Sequence, residues 1–137
     1  MKRKSQARSA KPLDNRQQHR LSESFTHKRP AAFSIGHVHY DKTTTFRTIY
    51  LSTLEYLHDH YDSFTEIVKH PSFKTKRGNK LYSTNPEELR EAVALKPGFY
   101  AEVNLSANMI RDYIRRLLEH FGISEDTFII YLREERR

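Results

Sequence analysis

The clearest pattern of apolar positions along the chain lies between residues 43 and 69. Apolar side chains recur there at steps of three and four residues, which is the repeat of one face of an amphipathic helix. These positions are Phe46, Tyr50, Leu54, Leu57, Tyr61, Phe64 and Val68. A threonine within 43–45 can cap the start of this helix, and Pro71 prevents its continuation. The pattern therefore predicts one long helix over residues 43–69.

A second helix is predicted after residue 104, because the helical repeat returns there. The apolar positions that it buries are Ile110, Ile114, Leu117, Leu118 and Phe121. Asn104, Ser106 or Asn108 can cap its start, and Gly122 ends it. Ser124 is then expected to cap a last helix, whose Phe128, Ile129 and Leu132 return to the core.

The remaining patterns predict short elements. Residues 81–82 and 99–103 favour short strands, and 85–88 (Asn-Pro-Glu-Glu) begin a short helix that extends to about residue 94. Residues 31–42, around Gly36, favour either a short strand or a docking segment. The predicted fold class is therefore α+β, mostly helical with a small two- or three-stranded sheet.

Charge divides the chain into two parts. Residues 1–30 carry nine lysines and arginines against two acids, while the other 107 residues carry 15 of each, so the net charge of +7 belongs to the first segment. That segment is poor in apolar residues, which is typical of disorder. We expect a basic disordered N-terminal arm over 1–30 and a single domain over 31–137.

Composition excludes several classes of function. The 137 residues include no cysteine, which removes disulfides, thiolate zinc sites and cysteine nucleophiles. The sequence contains no Gly-rich phosphate loop, no His-Glu-x-x-His and no Gly-x-Ser-x-Gly. No apolar run is long enough for a membrane span, and no secretory signal is evident. We therefore expect a cytoplasmic protein that is not an enzyme and needs no cofactor or metal.

Three features favour nucleic acid as the partner. The arm supplies cations for phosphates. A basic loop at 72–80 adds Lys74, Lys76, Arg77 and Lys80. The segment 104–108 (Asn-Leu-Ser-Ala-Asn) is rich in amide and hydroxyl groups, and asparagine pairs with adenine through two hydrogen bonds in the major groove. The base-reading candidates are Asn104, Ser106 and Asn108, and the helix that follows adds Arg111 and Arg115, which share a face and are better placed than Arg116.

Several blocks of the sequence resemble the C-terminal domain of the SeqA family of bacterial negative modulators of replication initiation. The first is 51–54 (Leu-Ser-Thr-Leu), with Leu57 and Phe64 after it, which is similar to the family's central helix. The second is 80–82 (Lys-Leu-Tyr), similar to its Arg-Val-Tyr strand. From Phe99 onward the similarity runs without gaps, and altogether it covers roughly residues 46–132.

The resemblance implies a function in binding hemimethylated GATC sites. The family's reading loop alternates threonine and asparagine, so Asn104 stands at the first asparagine and Ser106 replaces the second. Lys80 stands where the family has one of its DNA-holding arginines, and Arg77 can supply the other charge. The loss of one asparagine affects methyl-specific recognition more than DNA binding itself.

The expected function is therefore a methylation- or sequence-sensitive double-stranded DNA-binding protein, a nucleoid-associated regulator of replication or transcription. An RNA-binding or ribosome-associated basic protein is the first alternative, and a protein-interaction module with a basic solubility tail is the second. The sequence leaves the oligomeric state open between a monomer and a weak dimer.

Overall fold

Two antiparallel sheets form the framework of the protein. The computed structural model describes residues 17–96 and 98–133. One sheet contains β1 (Pro30–Ile35), β2 (Val38–Asp41) and β6 (Ile129–Leu132) in the order β2-β1-β6, and the other contains β3 (Tyr82–Ser83), β4 (Ala92–Lys96) and β5 (Phe99–Glu102) in the order β3-β5-β4. The expectation of a mostly helical fold with one small sheet is therefore wrong, and the fold is a mixed α+β structure.

The first α-helix, α1 (Phe46–His60), is shorter than the apolar repeat predicts. Thr45 caps its start, as expected, because the Thr45 hydroxyl accepts a hydrogen bond from the Thr48 main-chain N–H at 3.0 Å. The helix ends at His60 because Tyr61 is extended, and a short 3-10 helix (Phe64–Lys69) follows. The break turns Phe64 into the core, where its ring lies 5.0 Å from that of Phe99.

The second α-helix, α2 (Ala107–Phe121), agrees with the sequence pattern. Ile110, Ile114, Leu117 and Leu118 are buried as predicted, whereas Phe121 is half-buried. The Ser106 hydroxyl accepts a hydrogen bond from the Met109 N–H and caps the start of the helix. At the other end Gly122 takes a left-handed conformation, which is the usual glycine cap. This helix packs against α1.

Residues 31–42, which the sequence left between a strand and a docking segment, form the β1–β2 hairpin. Ile35 and Val38 pair across a two-residue turn. Gly36 has a φ of +60° at the first turn position, where a hairpin turn of this length favours glycine. A side chain at position 36 would also be too close to Tyr56, because a Cβ at Gly36 would lie 2.8 Å from the Tyr56 hydroxyl oxygen.

Two predicted helices are wrong. The short helix expected to extend to residue 94 stops after one 3-10 turn (Pro86–Glu88), and the chain continues as β4. The helix expected after Ser124 is a 3-10 turn (Glu125–Thr127) followed by β6, which pairs antiparallel with β1. The run Ile-Ile-Tyr-Leu has strong β propensity, and an apolar run this short does not distinguish strand from helix by its periodicity.

The segment before β1 also departs from the sequence prediction. Leu21 and Phe25 are almost completely buried, and the main chain of His19 pairs with Ile130 on the outer side of β6 through hydrogen bonds of 3.0 and 2.9 Å. Disorder is therefore the wrong prediction for residues 19–25, which belong to the folded body. Residues 1–16, the larger part of the predicted arm, lie outside the described residues.

Candidate nucleic-acid interface

The basic loop at 72–80 is an ordered hairpin that extends from β3. Its two sides meet as an antiparallel bridge between Lys74 and Lys80. The Thr75 N–H donates to the Asn79 carbonyl at 2.8 Å, and the Gly78 N–H donates to the Thr75 carbonyl at 2.9 Å. This segment, residues 73–81, is called the basic hairpin below. Its tip presents Lys76 and Arg77 to solvent.

The base of the basic hairpin is held rigidly against the body. Phe73 and Leu81 are buried at its two ends, and the Leu81 N–H donates to the Phe73 carbonyl at 3.3 Å. On α2, Arg116 donates through one guanidinium nitrogen to the carbonyls of Ser72 at 2.9 Å and Lys74 at 3.4 Å. Arg116, which the sequence analysis ranked below Arg111 and Arg115 as a DNA contact, is exposed and braces the hairpin.

The four cations of the basic hairpin differ in their partners. Lys80 forms an ion pair of 2.9 Å with Glu88. Hydrogen bonds from Ser83 and Lys80 lower the pKa of the Glu88 carboxyl, so this acid stays ionised and offsets the charge of Lys80. Lys74, Lys76 and Arg77 form no ion pair with any described residue. These three side chains are the hairpin cations available to an external anion.

Strand pairing brings the loop at 103–106 next to the basic hairpin. β3 and β5 pair with Tyr82 opposite Ala101, and the Glu102 N–H donates to the Leu81 carbonyl at 2.8 Å. The hairpin therefore leaves β3 at the point where the loop leaves β5. The Asn104 side chain is exposed and forms no hydrogen bond with another described residue.

A buried carboxylate fixes the main chain of this loop. Glu102 is only 4% exposed, and its two oxygens accept main-chain hydrogen bonds from Arg90 at 2.6 Å, Glu91 at 3.0 Å and Asn104 at 2.9 Å. Glu102 was not among the residues for which the sequence pattern predicted a role. The available signal was an acidic residue in an otherwise apolar strand, but only the fold shows which amides it meets.

Asn108 and Arg111 have internal partners and do not face the loop's outer surface. The Asn108 side-chain oxygen accepts from the Phe25 N–H at 2.8 Å, and its nitrogen donates to the Thr26 hydroxyl at 2.9 Å. Arg111 donates to the Glu23 carbonyl at 2.8 Å and pairs with Asp112. Both side chains hold residues 23–26 against α2, so the DNA contacts predicted for them would compete with these internal hydrogen bonds.

Arg115 and Ser106 also have intramolecular partners. Arg115 forms an ion pair of 3.1 Å with Glu125, at the turn before β6. The Ser106 oxygen accepts the capping hydrogen bond of α2, which leaves its hydroxyl proton free for a further acceptor. Of the nine predicted DNA-contacting residues, the structure therefore brings together the four hairpin cations, Asn104 and Ser106.

In residues 17–96 and 98–133 no group of three or more histidines and acids lies close enough to hold a metal ion. Within the same ranges no helix has the length and apolar character needed to cross a membrane. Comparisons of the chain with protein-family models, with curated proteins and with solved structures find no match.

Proposed function

We propose that this protein binds double-stranded DNA, with the basic hairpin on the phosphate backbone and Asn104 at the base edges. The observation that carries the proposal is the junction of β3 and β5. A hairpin and a loop leave neighbouring strands of one sheet there. Three cations of the hairpin form no ion pair, and the loop asparagine forms no side-chain hydrogen bond, with any residue that the structure describes. Phosphate contacts position a protein on a duplex and base contacts specify the sequence, so this edge combines both requirements.

The chemistry of the individual groups agrees with this division. Lys74, Lys76 and Arg77 are exposed cations that can neutralise phosphates, and residues 1–16 contribute six more lysines and arginines against one acid. The Asn104 amide offers a donor and an acceptor, the pair that adenine matches in the major groove. Ser106 retains a hydroxyl donor two residues further along the loop.

The proposal extends to the biological role suggested by the SeqA resemblance. In that role the protein reads GATC sites in a methylation-sensitive way and regulates replication or transcription at the nucleoid. The support is the agreement between the residues that carry the resemblance, Lys80 and Asn104, and their placement on one edge of the structure. Ser106 in place of an asparagine reduces the number of amide readers to one.

Fluorescence anisotropy on four duplexes tests the proposal. Three contain GATC in unmethylated, hemimethylated and fully methylated form, and the fourth is scrambled, each at two salt concentrations. We expect a preference for hemimethylated GATC that survives the increase in salt. Equal binding to all four that collapses with salt would contradict base reading, since counterion release alone produces that behaviour.

Two substitutions assign the contacts within this assay. Asn104→Ala is expected to reduce discrimination between GATC and scrambled duplexes by about 1–3 kcal/mol, the value of one bidentate contact. Lys76→Gln is expected to weaken binding to every duplex to a similar degree, with Lys96→Gln on β4 as its matched control. A uniform loss from Asn104→Ala would contradict its base-reading role.

Competition by double-stranded RNA at equal strength would favour an RNA-binding function.

A further inference from the structure

An open cleft of about 740 Å³ separates the basic hairpin from the second half of α2. Its hairpin side is formed by Lys74, Thr75 and Lys76, and its helix side by Arg116, Glu119 and His120. Sites for small ligands commonly have volumes of about 300–1,000 Å³, so the cleft is large enough for one ligand of nucleotide size. The cleft lies on the α2 side of the hairpin and is separate from the Asn104 loop.

The walls of the cleft favour an anion. The cleft is lined by three cations, Lys74, Lys76 and Arg116, and by one carboxylate, Glu119. Among the described residues, the two lysines and Glu119 have no ion-pair partner. Arg116 is fixed in place by its hydrogen bonds to the carbonyls of Ser72 and Lys74, which use one guanidinium nitrogen. The other nitrogens of this rigid planar group are available to bind phosphate oxygens.

The floor of the cleft is aromatic. The rings of His70 and His120 lie edge to face with centroids 4.8 Å apart, and His120 also meets the Phe73 ring edge-on at 5.5 Å. His70 is held in place because its Nδ1 accepts a hydrogen bond from the Ser72 N–H at 3.2 Å. Flat rings beside a cationic wall are the combination that binds the base and the phosphate of one nucleotide.

We propose that this cleft binds a single nucleotide, with the phosphate at Lys74, Lys76 and Arg116 and the base on the rings of His70 and His120. The nucleotide has two possible sources, a free mononucleotide or the phosphorylated end of a strand. The inference goes beyond duplex binding and does not depend on it. Lys74 and Lys76 take part in both surfaces. The cleft adds His70, Arg116 and His120 to them, whereas the proposed duplex surface adds Arg77 and the Asn104 loop.

Nuclear magnetic resonance titration of the full-length ¹⁵N-labelled protein tests this proposal, with AMP, adenosine and inorganic phosphate as probes. We expect AMP to shift the amide signals of residues 72–78 and the imidazole signals of His70 and His120 in a saturable way. Phosphate alone should shift the same amides at higher concentration, and adenosine should bind more weakly than AMP. Equal shifts from adenosine and AMP, or AMP shifts spread over lysines elsewhere on the surface, would overturn the proposal.

Substitutions separate a specific site from general attraction to a basic surface. Lys76→Gln is expected to weaken AMP binding about two- to fivefold, the effect of one exposed charge. Lys96→Gln, which removes the same charge from β4, should leave AMP binding unchanged, and an equal loss from both would overturn the proposal. Lys76 is the better choice for this test than Arg116, because Arg116 also braces the hairpin, whereas the Lys76 side chain forms no hydrogen bond or ion pair within residues 17–96 and 98–133.

Short single strands with and without a 5′ phosphate distinguish the two sources. Tighter binding of the phosphorylated strand than of AMP assigns the cleft to strand ends, and tighter binding of AMP assigns it to free nucleotides. A failure of both to reach the cleft overturns the inference. Duplex binding is scored separately on the same protein, so loss of one function and retention of the other shows which proposal has failed.

Discussion

Asn104 and Asn108 stand four residues apart in the same segment, and the structure gives them opposite roles. Asn104 is exposed with an uncommitted amide, whereas the amide of Asn108 bridges α2 to the main chain at Phe25 and the hydroxyl of Thr26. Sequence reasoning grouped them because both are amides near a helix start. Asn108 has internal partners because Phe25, which is distant in the sequence, is buried beside it and its N–H donates to the Asn108 side chain.

This difference predicts opposite effects on stability. Asn108→Ala leaves the Phe25 N–H without its acceptor and is expected to lower the free energy of unfolding by about 1–3 kcal/mol. Asn104→Ala removes no side-chain hydrogen bond to the described part of the chain, so we expect a change within about 0.5 kcal/mol. Urea denaturation followed by circular dichroism measures both. Equal losses of stability would show that Asn108 does not hold the segment.

Tyr50 and Tyr82 form a buried pair that predicts a dependence of stability on pH. Their hydroxyl oxygens are 2.6 Å apart, and burial raises the pKa of both phenols above the ordinary value. In the unfolded chain the same groups ionise near pH 10. Because the folded state retains these protons, its stability is fully present below about pH 10 and is lost as the pH rises toward the folded pKa values.

The measurement is the urea midpoint at several pH values between 8 and 11. We expect the midpoint to fall in the upper part of this range, above about pH 10. The double variant Tyr50→Phe/Tyr82→Phe should show a smaller fall, because Tyr40 and Tyr113, whose pKa values burial also raises, would remain. An identical decline in both proteins would mean that the buried pair does not cause the effect.

At the scale of elements, the sequence predicted what depends on local pattern and missed what depends on a distant partner. The start of α1 at Thr45, the buried face of α2 and the glycine at its end follow from capping and periodicity. By contrast, the β4 and β6 segments are short apolar runs that form strands because each pairs with a strand from another part of the sheet, β4 with β5 and β6 with β1. The end of α1 at His60 is likewise set by where Phe64 must pack, although the apolar repeat continues.

Glu102 links β5 to the main chain before β4 and to the Asn104 loop. Its substitution tests whether that loop is preorganised. In Glu102→Gln one oxygen becomes an amide nitrogen, which cannot accept the hydrogen bonds of the surrounding main-chain N–H groups. We expect the free energy of unfolding to fall by at least about 2 kcal/mol, because the lost bonds are charge-assisted and buried. The amide signals of Glu91 and Asn104 should also shift in a two-dimensional NMR spectrum.

Glu91→Gln is the matched control for this experiment. Glu91 forms an exposed ion pair of 2.8 Å with Arg47, and such a pair contributes about 0–1 kcal/mol. A loss of stability from Glu91→Gln as large as that from Glu102→Gln would contradict the structural role assigned to Glu102.

For the molecule as a whole, the boundary between the basic segment and the folded body differs from the one that composition suggests. Composition placed it at residue 30, because Leu21 and Phe25 stand among polar neighbours. In the structure these two side chains are core residues and His19 extends the β1 sheet beyond β6. Two apolar residues in a polar segment give too weak a signal to reveal a tertiary anchor.

The revised boundary predicts how two truncations behave. Deletion of residues 1–16 removes six cations and one acid but no described contact, so we expect the urea midpoint to be unchanged. Duplex affinity should decrease, and the slope of log K against log salt should become shallower by up to about five, given about 0.9 per lost phosphate contact. Deletion of residues 1–30 also removes Leu21 and Phe25 from the core and is expected to destabilise the protein strongly, because cavities of that size cost about 3–5 kcal/mol each.

Comparing the two truncations separates electrostatics from folding. If residues 1–16 supply phosphate contacts, the shorter deletion changes the salt slope at constant stability, and any preference among the four duplexes survives because Asn104 is intact. A salt slope that does not change on removal of these residues would assign the phosphate contacts to Lys74, Lys76 and Arg77 alone. A stable, cooperatively folded product of the longer deletion would contradict the placement of Leu21 and Phe25 in the core.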